Sequence, residues 1–190
     1  MVMALQNWLG GLLLALAALQ PAAAAPSCPA LLQHQLPRLQ DERPVDLCGY
    51  GGKVLLVVNT ASQCGFTPQY KALDTLYQRY AARGLVVMGF PSNDFAQEPG
   101  SNEAIADFCE NQFAVKFPMF AKSGVTPRGR GMAPNPLYAA IAARGAGSPQ
   151  WNFHKFLIAR DGSTVIGRPS AVDPLDPAFV REVERLLAQK

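Results

Sequence analysis

The apolar positions of the chain fall into two kinds of pattern. Lys53 to Asn59 (Lys-Val-Leu-Leu-Val-Val-Asn) and Leu85 to Phe90 (Leu-Val-Val-Met-Gly-Phe) are continuous Val-rich runs. Runs of this length suit strands buried on both faces of a sheet. Elsewhere the apolar residues recur at helical spacing. Pro68 fits the first turn of a helix that carries Leu73, Leu76, Tyr77 and Tyr80 and closes at Gly84. Ser101-Asn102-Glu103 predicts the start of a second helix carrying Ile105, Phe108, Cys109 and Phe113. Phe117 to Phe120 predicts a short strand, and Pro136 to Ala143 a third helix. Phe153 to Ala159 and Thr164 to Gly167 flank Arg160-Asp161-Gly162-Ser163, a hairpin turn signal. A terminal amphipathic helix over 177–188 places Phe179, Val183, Leu186 and Leu187 on one face. Strands and helices alternate before the late hairpin, so the expected fold class is α/β. It is a single domain, with a mixed sheet sandwiched by helices.

The first 25 residues differ from the rest: they contain no Asp, Glu, Lys or Arg. Leu9 to Leu19 is an apolar run of 11 residues, followed by Pro21 and a stretch of alanines. That is too short to span a bilayer and fits a secretory signal peptide, although no Lys or Arg precedes it. The expected organisation is a signal peptide over 1–25, an irregular N-terminal segment over 26–52 with room for a short hairpin, and one α/β domain over 53–190. The expected location is therefore exported, periplasmic or secreted. A length of 190 residues fits one core, and 49% hydrophobic with 16% charged residues excludes a disordered chain. The net charge of +3 comes without any run of Lys or Arg, so neither a nucleic-acid surface nor a polybasic membrane patch is expected.

Four cysteines admit three pairings. Cys28 and Cys48 precede the first core strand, whereas Cys64 and Cys109 lie inside the α/β body. The simplest arrangement pairs each set within itself, with Cys28–Cys48 as a structural bridge. The alternative for that pair is two free thiols in a reducing compartment. Cys64 follows a buried strand and precedes a helix N-terminus, where backbone N–H groups and the helix dipole stabilise a thiolate. An inert buried cysteine is the competing reading of that pattern alone. No Cys-x-x-Cys occurs, and the two histidines, His34 and His154, stand at no ligand spacing. No metal and no cofactor are therefore expected. His154 sits in an apolar run and reads as a strand residue rather than a base.

Three segments together resemble the glutathione peroxidase family. Asn59-Thr60-Ala61-Ser62-Gln63-Cys64-Gly65-Phe66-Thr67 is similar to its active-site segment. Gly89-Phe90-Pro91-Ser92-Asn93-Asp94-Phe95-Ala96-Gln97-Glu98-Pro99-Gly100-Ser101 resembles its second signature, and Trp151-Asn152-Phe153-His154-Lys155-Phe156-Leu157 its third. The resemblance runs from Lys53 to the C-terminus. It departs from the family pattern at Ser92 and Asp94, and the stretch between Phe95 and Gln97 is one residue shorter. The resemblance implies a thioredoxin-like fold over 53–190 and reduction of hydrogen peroxide or organic hydroperoxides. Carried over by position, Cys64 is the peroxidatic residue of a non-selenium member, Gln97, Trp151 and Asn152 surround it, and Cys109 resolves the oxidised thiol. It also implies a reductant, glutathione or a dithiol protein of the thioredoxin type, of which the second suits an internal disulfide. The chain is short between Gly124 and Gln150, lacking the loop that supports tetramers in some members, which implies a monomer. A thiol–disulfide exchange protein or a redox sensor using the same cysteine pair is the alternative.

Overall fold

The computed structural model describes residues 28–189. The expected signal peptide over 1–25 lies outside them. In chain order the elements are β1 (Gln35–Pro37), β2 (Pro44–Asp46), β3 (Val54–Thr60), α1 (Gln69–Tyr80) and β4 (Leu85–Pro91). They continue with α2 (Asn102–Phe113), α3 (Pro136–Ile141), β5 (Lys155–Ile158), β6 (Val165–Arg168) and α4 (Pro177–Ala188). β1 and β2 form a small antiparallel hairpin. The main sheet has the order β4-β3-β5-β6, with β3 and β4 parallel and the other two pairings antiparallel.

β3 is the centre of this sheet, and all seven of its residues are buried. Its side chains alternate between two cores, as the period of a strand requires. Val54, Leu56 and Val58 face α1, α2 and α4, together with Leu73, Leu76, Ile105, Phe179 and Val183. Leu55 and Val57 face α3 and the N-terminal segment, together with Leu31, Leu47, Leu137 and Ile141. Each of these side chains contributes roughly 1.5–3 kcal/mol on burial. Helices therefore cover both faces. Their starts follow from short polar residues that accept from the first free amides: Ser101 from Ala104, Asn135 from Leu137, and Asp176 from Ala178 and Phe179.

Two elements differ from the sequence pattern. Phe117 to Phe120 forms no strand; it makes isolated bridges, Gly89 with Met119 and Arg38 with Phe120. Pro118 has no N–H to extend a ladder, although its carbonyl accepts from Gly89 at 2.9 Å. The segment instead links the hairpin to the edge of β4. It lies so close that a Cβ on Gly89 would run into the Met119 sulfur and stand 3.1 Å from Phe117. The third helix ends at Ile141 rather than Ala143 and opens into a wider turn over Ala142–Ala146, where Gly145 has φ +81°.

Residues 28–50 pack Leu31, Leu32, Leu36 and Leu47 into the second core. A disulfide joins Cys28 to Cys48 across 20 positions. Closing a loop of that length restricts the unfolded chain by about 3 kcal/mol. Replacing both cysteines by serine is expected to lower unfolding stability by about that amount in urea titrations, while leaving the reactivity of Cys64 unchanged. A change in Cys64 reactivity at full folding would give this pair a part in the chemistry.

Candidate active site

Cys64 stands in a tight turn between β3 and α1. The Thr67 hydroxyl donates to the Ala61 carbonyl at 2.8 Å and accepts from the Cys64 amide at 3.1 Å, while the Thr67 amide returns to the Cys64 carbonyl at 3.0 Å. These bonds fix the turn. They also aim the Phe66 N–H at the Cys64 sulfur, at 3.4 Å. Negative charge on the sulfur meets that donor and the positive end of α1. The side chain is 8% exposed, and the thiol is free.

The loop after β4 is zipped onto this turn. The Gln63 amide donates to the Gln97 carbonyl at 3.0 Å. The next side chain, Glu98, accepts from the Ser62 amide at 2.8 Å and from the Ser62 hydroxyl at 2.9 Å. The stretch before Gln97 turns at Ala96, which adopts a left-handed φ of +57°. Glu98 is 1% exposed, and burial pushes its carboxyl above the usual range against the pull of the Ser62 donors and Lys122.

The third loop joins from the other side of β3. The Asn59 side chain donates to the Trp151 carbonyl at 3.1 Å, and the Phe153 amide donates to the Asn59 carbonyl at 2.6 Å. Asn152 is fully buried, and its amide donates to the Gln97 side-chain oxygen at 2.8 Å. Trp151 is the one large apolar side chain exposed among the described residues, at 41%, and its ring lies 5.3 Å from that of Phe95. Beside it opens a cleft of about 790 Å³ whose lining includes Phe95, Arg128, Arg130 and Gln150. Cys64, Gln97, Trp151 and Asn152 thus lie on three loops bonded to one another.

Cys109 is free and 3% exposed on α2, in the same apolar core as Cys64. Burial pushes its thiol up to about 11, against the opposing pull of the Tyr70 hydroxyl beside it. Cys28 and Cys48 are bonded to each other, apart from this centre. His154 has neither ring nitrogen hydrogen-bonded, and its ring lies 4.8 Å from Phe156. Burial lowers its pKa, so it packs as a neutral ring. Among the described residues no three His, Cys, Asp or Glu side chains gather to hold a metal ion.

Sequence reasoning missed Thr67, Glu98, Tyr70 and Lys155. The signal for Lys155 was strand parity: a strand through Phe153 to Ala159 turns Lys155 to the same face as Leu157. Glu98 carried no such signal, because its burial depends on a loop that meets it from 36 positions away.

Burial of Cys109 sets its reactivity. At about pH 8 an ordinary thiol of pKa 9.0 is roughly a tenth ionised, and one at about 11 roughly a thousandth. Alkylation of Cys109 by iodoacetamide in the folded, reduced protein is expected to run about a hundredfold slower than in urea, and to rise with pH until about 11. The unfolded chain releases this proton first, so Cys109 makes stability fall as pH climbs from about 9 to about 11. A rate that levels off at about pH 9, measured by mass spectrometry of the Cys109 peptide, would refute the buried thiol.

Known proteins share this architecture. The family model described as glutathione peroxidase matches residues 33–141. The glutathione peroxidase-like peroxiredoxin gpx1 of Schizosaccharomyces pombe is 46% identical over 141 residues, 72% of this chain and 86% of that protein. The crystal structure of Trgpx in its apo form superposes with a TM-score of 0.64 at 34% identity, covering 86% of this chain and 98% of that one. A thioredoxin-family thiol:disulfide interchange protein of Chlorobium tepidum TLS superposes with a TM-score of 0.59 at 20% identity, covering 88% and 100%, and so shares the fold. The mixed sheet is thioredoxin-like, and the chain, with cysteine at position 64, belongs to the glutathione peroxidase family of peroxidases.

Proposed function

We propose that the protein reduces hydrogen peroxide or organic hydroperoxides through Cys64 and Cys109. The Cys64 thiolate attacks the terminal peroxide oxygen, the O–O bond breaks, and the departing alkoxide or hydroxide takes a proton. Cys64 is left as a sulfenic acid. The Asn152 amide, the Gln97 amide and the Trp151 indole N–H are the donors for the developing oxyanion. The observation that carries this reading is the 2.8 Å bond between Asn152 and Gln97, whose loop is itself bonded through Gln63 to the turn that bears the free Cys64. It holds two amides in one fixed arrangement before substrate arrives.

Cys109 then attacks the Cys64 sulfur. A disulfide forms, and the hydroxyl of the sulfenic acid leaves as water after taking a proton. Cys109 is 3% exposed and lies on the inner side of α2, so this step needs α2 to open locally. An internal disulfide is best returned to the dithiol by a protein dithiol, through a mixed disulfide. A thioredoxin-type reductant is therefore favoured over two glutathiones. The Cys28–Cys48 bridge supports an exported protein, because such bridges persist in oxidising compartments.

One equivalent of hydroperoxide added to the reduced protein is expected to give a Cys64–Cys109 bond, mapped by mass spectrometry after rapid quenching. Cys64→Ser abolishes it, and Asn152→Ala slows the first step by about a hundredfold. On oxidation, α2 becomes open to a glutamate-specific protease at Glu103 and Glu110. A Cys64 that stays a thiol would instead favour disulfide exchange or sensing.

A further inference from the structure

Lys155 opens β5 with no exposed surface. Its side chain shares a core face with Leu157, and the described residues include no ion pair to it. Burial lowers its pKa to about 7, against the opposing pull of Asp173. A buried cation without a salt-bridge partner is unfavourable for stability unless hydrogen bonds satisfy it.

The ammonium is nevertheless fully used. Nζ donates to the Gln69 side-chain oxygen at 2.7 Å, to the Phe153 carbonyl at 2.8 Å and to the Ser170 carbonyl at 3.3 Å. These three acceptors match the three protons of an ammonium. Gln69 is the first residue of α1, directly after the Cys64 turn, and its own amide donates to Ser170 at 2.8 Å. Phe153 follows Trp151 and Asn152 and adopts φ +62°, a region that bulky side chains avoid. Its peptide groups are held at both ends: the N–H by the Asn59 carbonyl, and the C=O by Lys155. Loss of the bond at the carbonyl leaves Asn59 alone to hold the arm that aims Asn152 at Gln97.

We propose that Lys155 is a positioning residue for the peroxidase reaction: its ammonium bonds the Phe153 carbonyl and the Gln69 side chain, and so sets the Trp151-Asn152 arm against the Cys64 turn. It touches no reacting atom. The proposal rests on the reading of Trp151 and Asn152 as donors to the oxyanion.

Lys155→Met keeps the length of the stem and removes the donors. It leaves the Gln69, Phe153 and Ser170 acceptors without that donor, so it is expected to lose stability in urea, and the folded variant to oxidise Cys64 in a single turnover at least about tenfold more slowly. In a Trp8→Phe background, where Trp151 is the only tryptophan, the same variant shifts or broadens the Trp151 indole N–H resonance. A purely structural role would lower stability alone and leave both readouts of the folded protein unmoved. A wild-type oxidation rate with an unmoved resonance overturns the proposal. Should Lys155→Met not fold, Gln69→Leu removes one acceptor: slowed oxidation supports the proposal, and a wild-type rate overturns it. Asn152→Ala, run alongside, separates the two readings. If it is slow while Lys155→Met is not, positioning by Lys155 fails alone; if it reacts at the wild-type rate, the donor reading fails and this proposal with it.

Discussion

Asn59 bonds the third loop twice, and much of the site depends on those bonds. It is the penultimate residue of β3 and fully buried. Its side chain holds the Trp151 carbonyl, and its main-chain carbonyl holds the Phe153 amide. One position further, the Thr60 carbonyl accepts from Ser92 at the head of the Gln97 loop. The chain then turns directly into the Cys64 segment. The carboxyl end of one strand thus fixes three loops, which is why that strand must be central, paired on both sides and dry on both faces. A strand with an exposed face would leave these anchoring bonds in competition with water.

The site combines this rigidity with an unusual load of buried polar groups. Glu98 and Lys155 sit on opposite flanks of the Cys64 turn, and each is bonded to neutral partners rather than to an opposite charge. Neither arrangement is what stability alone selects. Both convert a loop into a defined object: Glu98 ties Ser62 to the Gln97 segment, and Lys155 ties Phe153 to the start of α1. Left-handed residues at Ala96 and Phe153 complete the picture. Each stores strain of order 1–2 kcal/mol that the surrounding bonds must hold in place.

What was legible in the sequence follows from the same physics. The buried runs at 53–59 and 85–90 and the amphipathic face of α4 announce themselves, because burial on two faces or one stripe is written locally. The chemistry was legible only through three segments taken together, since no single one of them states its neighbours. The segment 117–120 misled because its apolar residues suit a strand while Pro118 denies it a ladder. The helix predicted over 136–143 stops at Ile141 because Gly145 draws the chain into a wider turn. Glu98 and Lys155 were illegible as buried groups. A charged residue is normally solvated, and only tertiary partners, such as Ser62 and Gln69, make the exception.

The two cysteine pairs make opposite demands on the chain. Cys28 and Cys48 join an N-terminal segment with little regular structure, and their bond has only to persist. In the proposed cycle a Cys64–Cys109 bond forms and breaks on each turnover, and the element carrying Cys109 then has to hold the thiol inside and still release it. α2 is built asymmetrically. Its start is capped by Ser101, a residue suited to the task. Its end turns on Ala114 at φ +51°, where glycine would carry no strain, and the last cap bond, from the Val115 amide, falls on the Cys109 carbonyl. The strained cap costs roughly 1–2 kcal/mol at the end of the helix that the proposed cycle requires to fray. Unwinding from that end loses the bond on Cys109 among the first, and frees the thiol from the burial that keeps it protonated. The opening that exposes Cys109 thus also lowers the barrier to its ionisation, and in the proposed cycle resolution waits on the helix rather than on the thiol.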